Sequence, residues 1–145
     1  KAGSLLLSGI GFICIEGVAV SPNGRQHINS LGIWNDKHLE GYKRITNFAK
    51  QMDAIACIQL VHAGRKVIKN DIVNPFKKEI HHFDDDTIEC YSCTQIPYSD
   101  RFYTPKILSK KNISEIITDF TRAAELAVAA GFNMIEIEAA GGFLI

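Results

Sequence analysis

The chain has 145 residues, of which 46% are hydrophobic and 22% are charged, a composition typical of a globular domain rather than of a disordered or fibrous chain. Its 16 basic and 16 acidic residues give a formal net charge of zero, and no basic run is longer than a pair. We therefore expect neither a nucleic-acid partner nor association with a membrane.

The chain opens on an apolar stretch, KAGSLLLSGIGFICIEGVAV, that alternates like a β-strand. Gly9, Gly11 and Glu16 interrupt this stretch, which is too short to span a bilayer. Within it, Ile10 to Val20 is rich in Ile and Val and is predicted to form the first buried strand.

Two amphipathic helices are predicted farther along the chain. The first runs from Asp36 to Met52 with Asn35 as its N-cap, and the second runs from Lys110 to Ala130 with Ser109 as its N-cap. Apolar residues recur at helical spacing along one face of each helix. In the second helix the predicted buried face consists of Ile113, Ile116, Ile117, Phe120, Ala124 and Ala127.

Two further strands are predicted, Ala54 to Leu60 and Met134 to Ile137, so that strands and helices alternate. This order indicates an α/β fold with a parallel sheet and crossover helices. The strand-to-helix connections are long, as in (β/α)₈ barrels whose sites lie at the carboxyl ends of the strands. A doubly wound sheet binds ligands at the same ends, so the loop lengths leave both architectures open, although no G-x-G-x-x-G motif follows the first strand.

Four polar residues lie at or beyond the predicted strand ends. Gln59 could bond the edge of a planar heterocycle or another group inside the core. His62 is a candidate general acid or base and Arg65 a candidate anion binder, or both are structural loop residues. Glu138 is either a catalytic carboxylate or an ordinary exposed residue.

The cysteines indicate the compartment. Two of them, Cys14 and Cys57, lie inside apolar runs, where cysteine usually packs as a small hydrophobic residue. The spacing of all four does not resemble a secreted disulfide scaffold. We therefore expect a reducing, cytoplasmic setting.

A zinc site is the weaker alternative for the long loop before the second helix. His81 or His82 with Cys90 and Cys93 offers the ligand types of zinc, including C-x2-C spacing. The set is single and irregular. We therefore expect no metal site.

Six stretches carry a resemblance to a known family: GIGFICIEGVAVSPNGR, LGIWND, IQLVHAGRK, IPYSD, YTPKILS and AAELAVAAGFNMIEIEAAGGFLI. In order and spacing they resemble the Old Yellow Enzyme family of FMN-dependent NAD(P)H oxidoreductases, especially its bacterial-type NADPH dehydrogenase branch. The resemblance spans nearly the whole chain, apart from about Ile68 to Thr94.

The family fold is a TIM (β/α)₈ barrel, and the resemblance implies that this chain supplies strands two to four with the two intervening helices. Residues 1–145 are then an incomplete FMN-dependent oxidoreductase barrel domain with both ends missing. A whole barrel takes about 250 residues. The strands that carry the FMN phosphate site in the family fall outside the chain.

The resemblance also implies the chemistry, with FMN and NADPH as cofactors. In the family NADPH reduces FMN, and the reduced flavin passes a hydride to a small enone-class or quinone-class substrate. By position, Gln59 resembles the residue that bonds the flavin pyrimidine edge. Gly17 resembles the small residue whose backbone approaches the flavin.

The last stretch departs from the family pattern E-I-H-x-A-H-G-Y-L, because this chain reads E-I-E-A-A-G-G-F-L. Glu138 and Gly141 stand where two donors hold the substrate oxygen, and Phe143 stands at the Tyr position. An ionised Glu only accepts hydrogen bonds, and losing one such donor costs about 10²–10³ in rate.

This departure implies a degraded substrate site with no catalytic residue intact. We expect the isolated chain to be inactive. The alternatives are a catalytically inactive flavin-binding or interaction relic, or a truncated gene product.

Overall fold

Strands and helices alternate in the computed structural model, which describes residues 2–27, 29–68 and 89–145. Short 3₁₀ turns follow the first two long strands and precede the helix that begins at Leu39. In chain order the elements are α1 (Ala2–Leu7), β1 (Phe12–Ala19), α2 (Leu39–Gln51), β2 (Ile55–Val61), the short β3 (Tyr91–Ser92) and β4 (Lys106–Ile107), α3 (Lys110–Ala129) and β5 (Met134–Ile137).

The three long strands form a parallel sheet in the order β1-β2-β5, which confirms the predicted α/β class. Cys14 lies opposite Cys57, and Gln59 lies opposite Glu136. Because side chains alternate along a strand, Ile58 and Leu60 enter the core while Cys57 and Gln59 lie on the other face of β2. The core cluster continues into both long helices through Tyr42, Ala49, Leu126 and Ala127.

The first residues are helical, so the strand-like interpretation of the opening stretch is wrong for Ala2–Leu7. Leu6 is 1% exposed and joins the core cluster. The helix ends before Gly9, whose φ of +83° suits a residue without a Cβ. Packing against the rest of the chain therefore outweighs the alternating pattern here.

The predicted buried face of α3 is partly wrong. Ile113 is 45% exposed and Ile117 is 62% exposed, whereas Ala127 is buried as predicted, together with Ala123 and Leu126. Alanine has almost no side chain, so these positions let the helix axis approach β2 closely. Hydrophobicity alone favoured the bulky isoleucines, which lie to one side of this contact. No helix of the described residues is long and apolar enough to cross a membrane.

Both predicted N-caps are present. The Asn35 side chain accepts a hydrogen bond from the Lys37 N–H at 3.0 Å, although the first turn is 3₁₀ and α2 begins only at Leu39. Ser109 forms a capping box, since its Oγ accepts from the Asn112 N–H at 3.1 Å and the Asn112 side chain accepts from the Ser109 N–H at 3.0 Å. These caps set the residue at which each helical segment begins.

We expect Ser109→Ala to lower the free energy of unfolding by about 1 kcal/mol, because one helical N–H loses its partner. Ser114→Ala is the matched control, since Ser114 is exposed within α3 and its hydroxyl donates only to the Lys110 carbonyl. That change should stay within about 0.5 kcal/mol. Urea unfolding followed by circular dichroism measures both, and equal losses would contradict the capping role.

Candidate functional site

A single amide links the carboxyl-end region of all three long strands. Gln59 Oε1 accepts a hydrogen bond from the Gly17 N–H at 3.0 Å. Its Nε2 donates to Glu136 Oε1 at 2.7 Å and to Glu138 Oε2 at 3.1 Å. Parallel strands bring their carboxyl ends to one edge, which is how residues from distant parts of the sequence meet around this side chain.

Gly17 lies at an irregularity in β1, where the register with β2 shifts between Ile15 and Val18. Its φ is +65°, a region that side chains rarely adopt. A Cβ built on Gly17 would meet nothing within 4 Å. The glycine is therefore required by backbone conformation, and the space beside it is open.

A cavity of about 300 Å³ lies beside this amide. It is bounded by the ends of β1 and β2, the segment after β1 and the turn after β5. Its walls include Gly17, Gln26, His27, Gln59, Glu138 and Phe143. This volume is at the lower end of the range for small-molecule sites. The structure thus brings four of the five site residues that the resemblance implies to one cavity, while Gly141, and the further candidates His62 and Arg65, are not among its walls.

Glu138 acts as an acceptor on both oxygens. Its Oε1 accepts from the Ala140 N–H at 2.8 Å, and its Oε2 accepts from Gln59. The carboxylate therefore closes the turn after β5 and ties it to β2. Neither contact uses Glu138 as a hydrogen-bond donor.

Lys66 holds the segment that contains Gly141 and Phe143. Its Nζ donates to the Gly141 carbonyl at 2.8 Å and lies 4.4 Å from the centre of the Phe143 ring. The same ammonium is 4.6 Å from the Tyr98 ring, which Arg65 also covers at 5.6 Å. Cation–π contacts of this kind stabilise the loop. Sequence reasoning missed Lys66 and Tyr98, although both lie in the quoted motifs IQLVHAGRK and IPYSD.

His62 is 2% exposed, and its Nδ1 accepts from the Gly64 N–H at 3.1 Å. Burial lowers the pKa of His62 to about 4, so that the ring is neutral at pH 7. Its ring also packs close to Gly24. These contacts support the structural alternative for His62 over the acid–base one.

Of the residues in the weaker zinc alternative, only Cys90 and Cys93 lie among the described residues. Cys90 is buried and donates to the Gly64 carbonyl at 3.0 Å, while Cys93 is exposed. Burial raises the pKa of Cys90 to about 11. His81 and His82 lie outside the described residues.

Comparisons with known proteins place these features in context. The sequence model of the NADH:flavin oxidoreductase / NADH oxidase family matches residues 7–145. NADPH dehydrogenase of Bacillus cytotoxicus is 36% identical over 144 residues, which are 99% of this chain and 36% of that protein. NADPH dehydrogenase of Bacillus subtilis is 36% identical over 137 residues, 94% of this chain and 35% of its own length.

Solved structures share the fold. Morphinone reductase in complex with tetrahydroNAD superposes with a TM-score of 0.79 at 22% identity, covering 99% of this chain and 41% of that one. The chain therefore spans little more than a third of the curated relatives that it matches.

Proposed function

The chain belongs to the NADH:flavin oxidoreductase / NADH oxidase family, and from that membership we propose that it is part of an FMN-dependent NAD(P)H oxidoreductase. FMN and NADPH are the proposed cofactors, in keeping with the NADPH dehydrogenase relatives. When bound, FMN would take a hydride from NADPH and pass it to an activated alkene or a quinone. Because the relatives are almost three times longer than the chain, the activity belongs to the whole protein.

We propose that β1, β2 and β5 are strands two, three and four of a (β/α)₈ barrel, and that residues 1–145 form an incomplete barrel domain. The exposed edges of the sheet support this assignment. Phe12 on β1 is 48% exposed, and Met134 and Ile137 on β5 are 49% and 55% exposed. A closed barrel removes such edges by pairing each strand on both sides.

The amide of Gln59 carries the cofactor proposal. The pyrimidine edge of a flavin alternates C=O and N–H groups, which need donors and acceptors side by side. The Gly17 N–H and the Gln59 Nε2 are donors, and the Glu136 and Glu138 carboxylates are acceptors at the same place. The groups are of the kinds that this edge of the cofactor needs, and because they now bond one another, a bound flavin would replace contacts within the Gln59 cluster.

The phosphate of FMN requires a different region. The described cavity walls contain no lysine or arginine, and a phosphate is normally held by such cations or by a helix N-terminus. We therefore expect the chain by itself to bind FMN weakly. A chimera in which this chain replaces the matching segment of Bacillus subtilis NADPH dehydrogenase supplies the remaining strands for the tests below.

In that chimera we expect Gln59→Leu to weaken FMN binding about tenfold, since one or two hydrogen bonds to the flavin are lost. The measurement is flavin fluorescence on titration of the apo-protein. Gln51→Leu is the matched control, because Gln51 is exposed at the end of α2. An unchanged Kd for Gln59→Leu, with the control also unchanged, would contradict the proposed contact.

The substrate side of the site is proposed to be degraded. Glu138 accepts hydrogen bonds on both oxygens, Gly141 has no side chain, and Phe143 has no hydroxyl. An enolate oxygen needs donors at these positions. We therefore propose that the whole protein retains flavin reduction by NADPH and hydride transfer to quinones, but has lost efficient reduction of enones. A flavin-binding relic without turnover is the second candidate, and the absence of NADPH oxidation with either acceptor would favour it.

A further inference from the structure

A cluster of metal-ligating side chains lies on the same sheet face as Gln59, with its two cysteines one level earlier along the strands and its carboxylate residue directly opposite Gln59. It consists of Cys14 on β1, Cys57 on β2 and Glu136 on β5. The two thiol sulfurs and a carboxylate oxygen all lie within 4.8 Å of one another. Cys14 and Cys57 are direct neighbours in the parallel register, so the sheet itself fixes their separation.

We propose that Cys14, Cys57 and Glu136 bind a divalent cation of the zinc class, with water as the fourth ligand. Zinc takes Cys sulfur at about 2.3 Å and carboxylate oxygen at about 2.0–2.2 Å in a tetrahedron, which sets ligand atoms about 3.3–3.8 Å apart. The ligand atoms lie within 4.8 Å of one another, so they would have to approach by about 1–1.5 Å at most on binding. Sulfur ligands favour zinc over magnesium or calcium.

The surroundings of the cluster favour a cation. Glu136 and Glu16 both act on Cys14 electrostatically, and Glu138 is held beside Glu136 by the shared Gln59 amide. No cation among the described residues is paired with Glu136 in an ion pair that the structure records. A bound divalent ion would offset this negative charge.

Zinc binds cysteine as the thiolate. Binding of a metal must therefore displace the thiol protons, so that about two protons leave per ion. Proton release thus distinguishes thiolate coordination from loose attraction to the carboxylates.

The orientation of the Glu136 carboxylate and the exposure of the three side chains are also compatible with a metal site. The Gln59 Nε2 donates to Glu136 Oε1 at 2.7 Å, an outer contact of the kind that aligns ligating carboxylates. Cys57 is buried, Cys14 is half-buried and Glu136 is exposed. In the 145-residue chain an ion can therefore reach the cluster from the sheet face opposite the helices, which the proposed barrel would turn inward, and it would meet the carboxylate first.

The test is a titration of the reduced 145-residue chain with Co²⁺, followed by displacement with Zn²⁺. We expect one Co²⁺ per chain, a thiolate-to-cobalt charge-transfer band, and about two protons released per ion. Cys14→Ser and Cys57→Ser should each abolish the band. Glu136→Gln should weaken Co²⁺ binding by at least about tenfold.

Cys93→Ser is the matched control, since Cys93 is an exposed thiol outside the cluster. A band that survives in both Cys14→Ser and Cys57→Ser but disappears in Cys93→Ser would assign the metal to the long loop and overturn the proposal. The absence of a Co²⁺ band in the reduced chain would also overturn it. So would the finding that Cys14 and Cys57 form a disulfide and bind no metal. If the cysteine variants fail to fold, Glu136→Gln provides the test, because Glu136 is exposed. An unchanged Co²⁺ affinity in this variant would count against the site.

Discussion

Gly64→Ala is expected to lower the free energy of unfolding by about 3 kcal/mol or more. Gly64 has a φ of +57°, and a Cβ at this position would lie 2.8 Å from Leu144 Cα and 2.9 Å from Leu144 N. The left-handed conformation alone costs a non-glycine residue about 1–2 kcal/mol. The clash adds to this cost because the atoms met are backbone and cannot rotate away.

Relief of that clash would require the chain after β5 to move. Such a shift would strain the hydrogen bond from the Leu144 N–H to the His62 carbonyl at 3.2 Å. It would also disturb the contact between Lys66 and the Gly141 carbonyl. The loss should therefore appear both as reduced stability and as disorder of the turn that carries Phe143.

Gly9→Ala separates conformational strain from the clash. Gly9 also has a positive φ, +83°, but an added Cβ there would meet nothing within 4 Å. We expect this change to cost only about 1–2 kcal/mol. Urea unfolding of the two variants, followed by circular dichroism, measures the difference, and equal losses would refute the close approach of Leu144 to Gly64.

The features that sequence alone predicted well depend on neighbours a few residues apart. Ser109 caps α3 as predicted, since its Oγ accepts from the Asn112 N–H within the first helical turn. The strand Met134–Ile137 was predicted with the bounds that the structure has. The family was predicted from several such local motifs in the right order, and the match over residues 7–145 confirms it.

The features that sequence missed depend on contacts between distant residues. Ala123 of α3 is buried because the helix lies close to the sheet, a contact that hydrophobicity scores do not favour, whereas the burial of Ala127 was predicted. Lys66 meets Gly141 across 75 positions. No local pattern encodes a cation that packs between aromatic rings from two other segments.

The acidic surroundings of Gln59 were only half predicted. Glu138 was considered as a candidate, but Glu136 was not, although residues two apart on a strand share a face. Applying that rule to Glu136 and Glu138 would have placed both carboxylates beside Gln59, where they accept from one amide. Likewise, Cys14 and Cys57 were interpreted only as small hydrophobic residues, because their pairing becomes visible once the strand register is known.

Restoring donors to the substrate site is expected to have the largest effect on activity. In the chimera, the double change Glu138→His and Gly141→Asn should raise kcat/KM for enone reduction at least about 100-fold, since each missing donor costs about 10²–10³ in rate. Asn is chosen because Gly141 has a φ of +64°, and Asn adopts this region more readily than most residues. The measurement is NADPH oxidation with an enone acceptor under anaerobic conditions.

The structure has room for the new side chains. A Cβ on Gly141 would lie 3.6 Å from the Phe143 ring and 3.9 Å from Lys66 Nζ, which are ordinary contact distances. Replacing Glu138 frees the Gln59 Nε2 and the Ala140 N–H that now bond its carboxylate. The variant should therefore fold, and its FMN content reports directly on whether the cofactor side is intact.

Glu40→His with Gly141→Asn is the matched control, because it introduces the same residue types at Glu40, which is exposed on α2, and leaves Glu138 in place. If the alignment of Glu138 with the first donor is right, this control stays near the starting enone activity, while quinone-dependent NADPH oxidation changes little in either variant. If the Glu138 variant retains FMN and gains nothing, the substituted positions are not the donor positions. The loss of enone reduction would then have to originate elsewhere in the barrel. If only the Glu138 variant gains enone activity, the loss of enone reduction originates in the turn after β5.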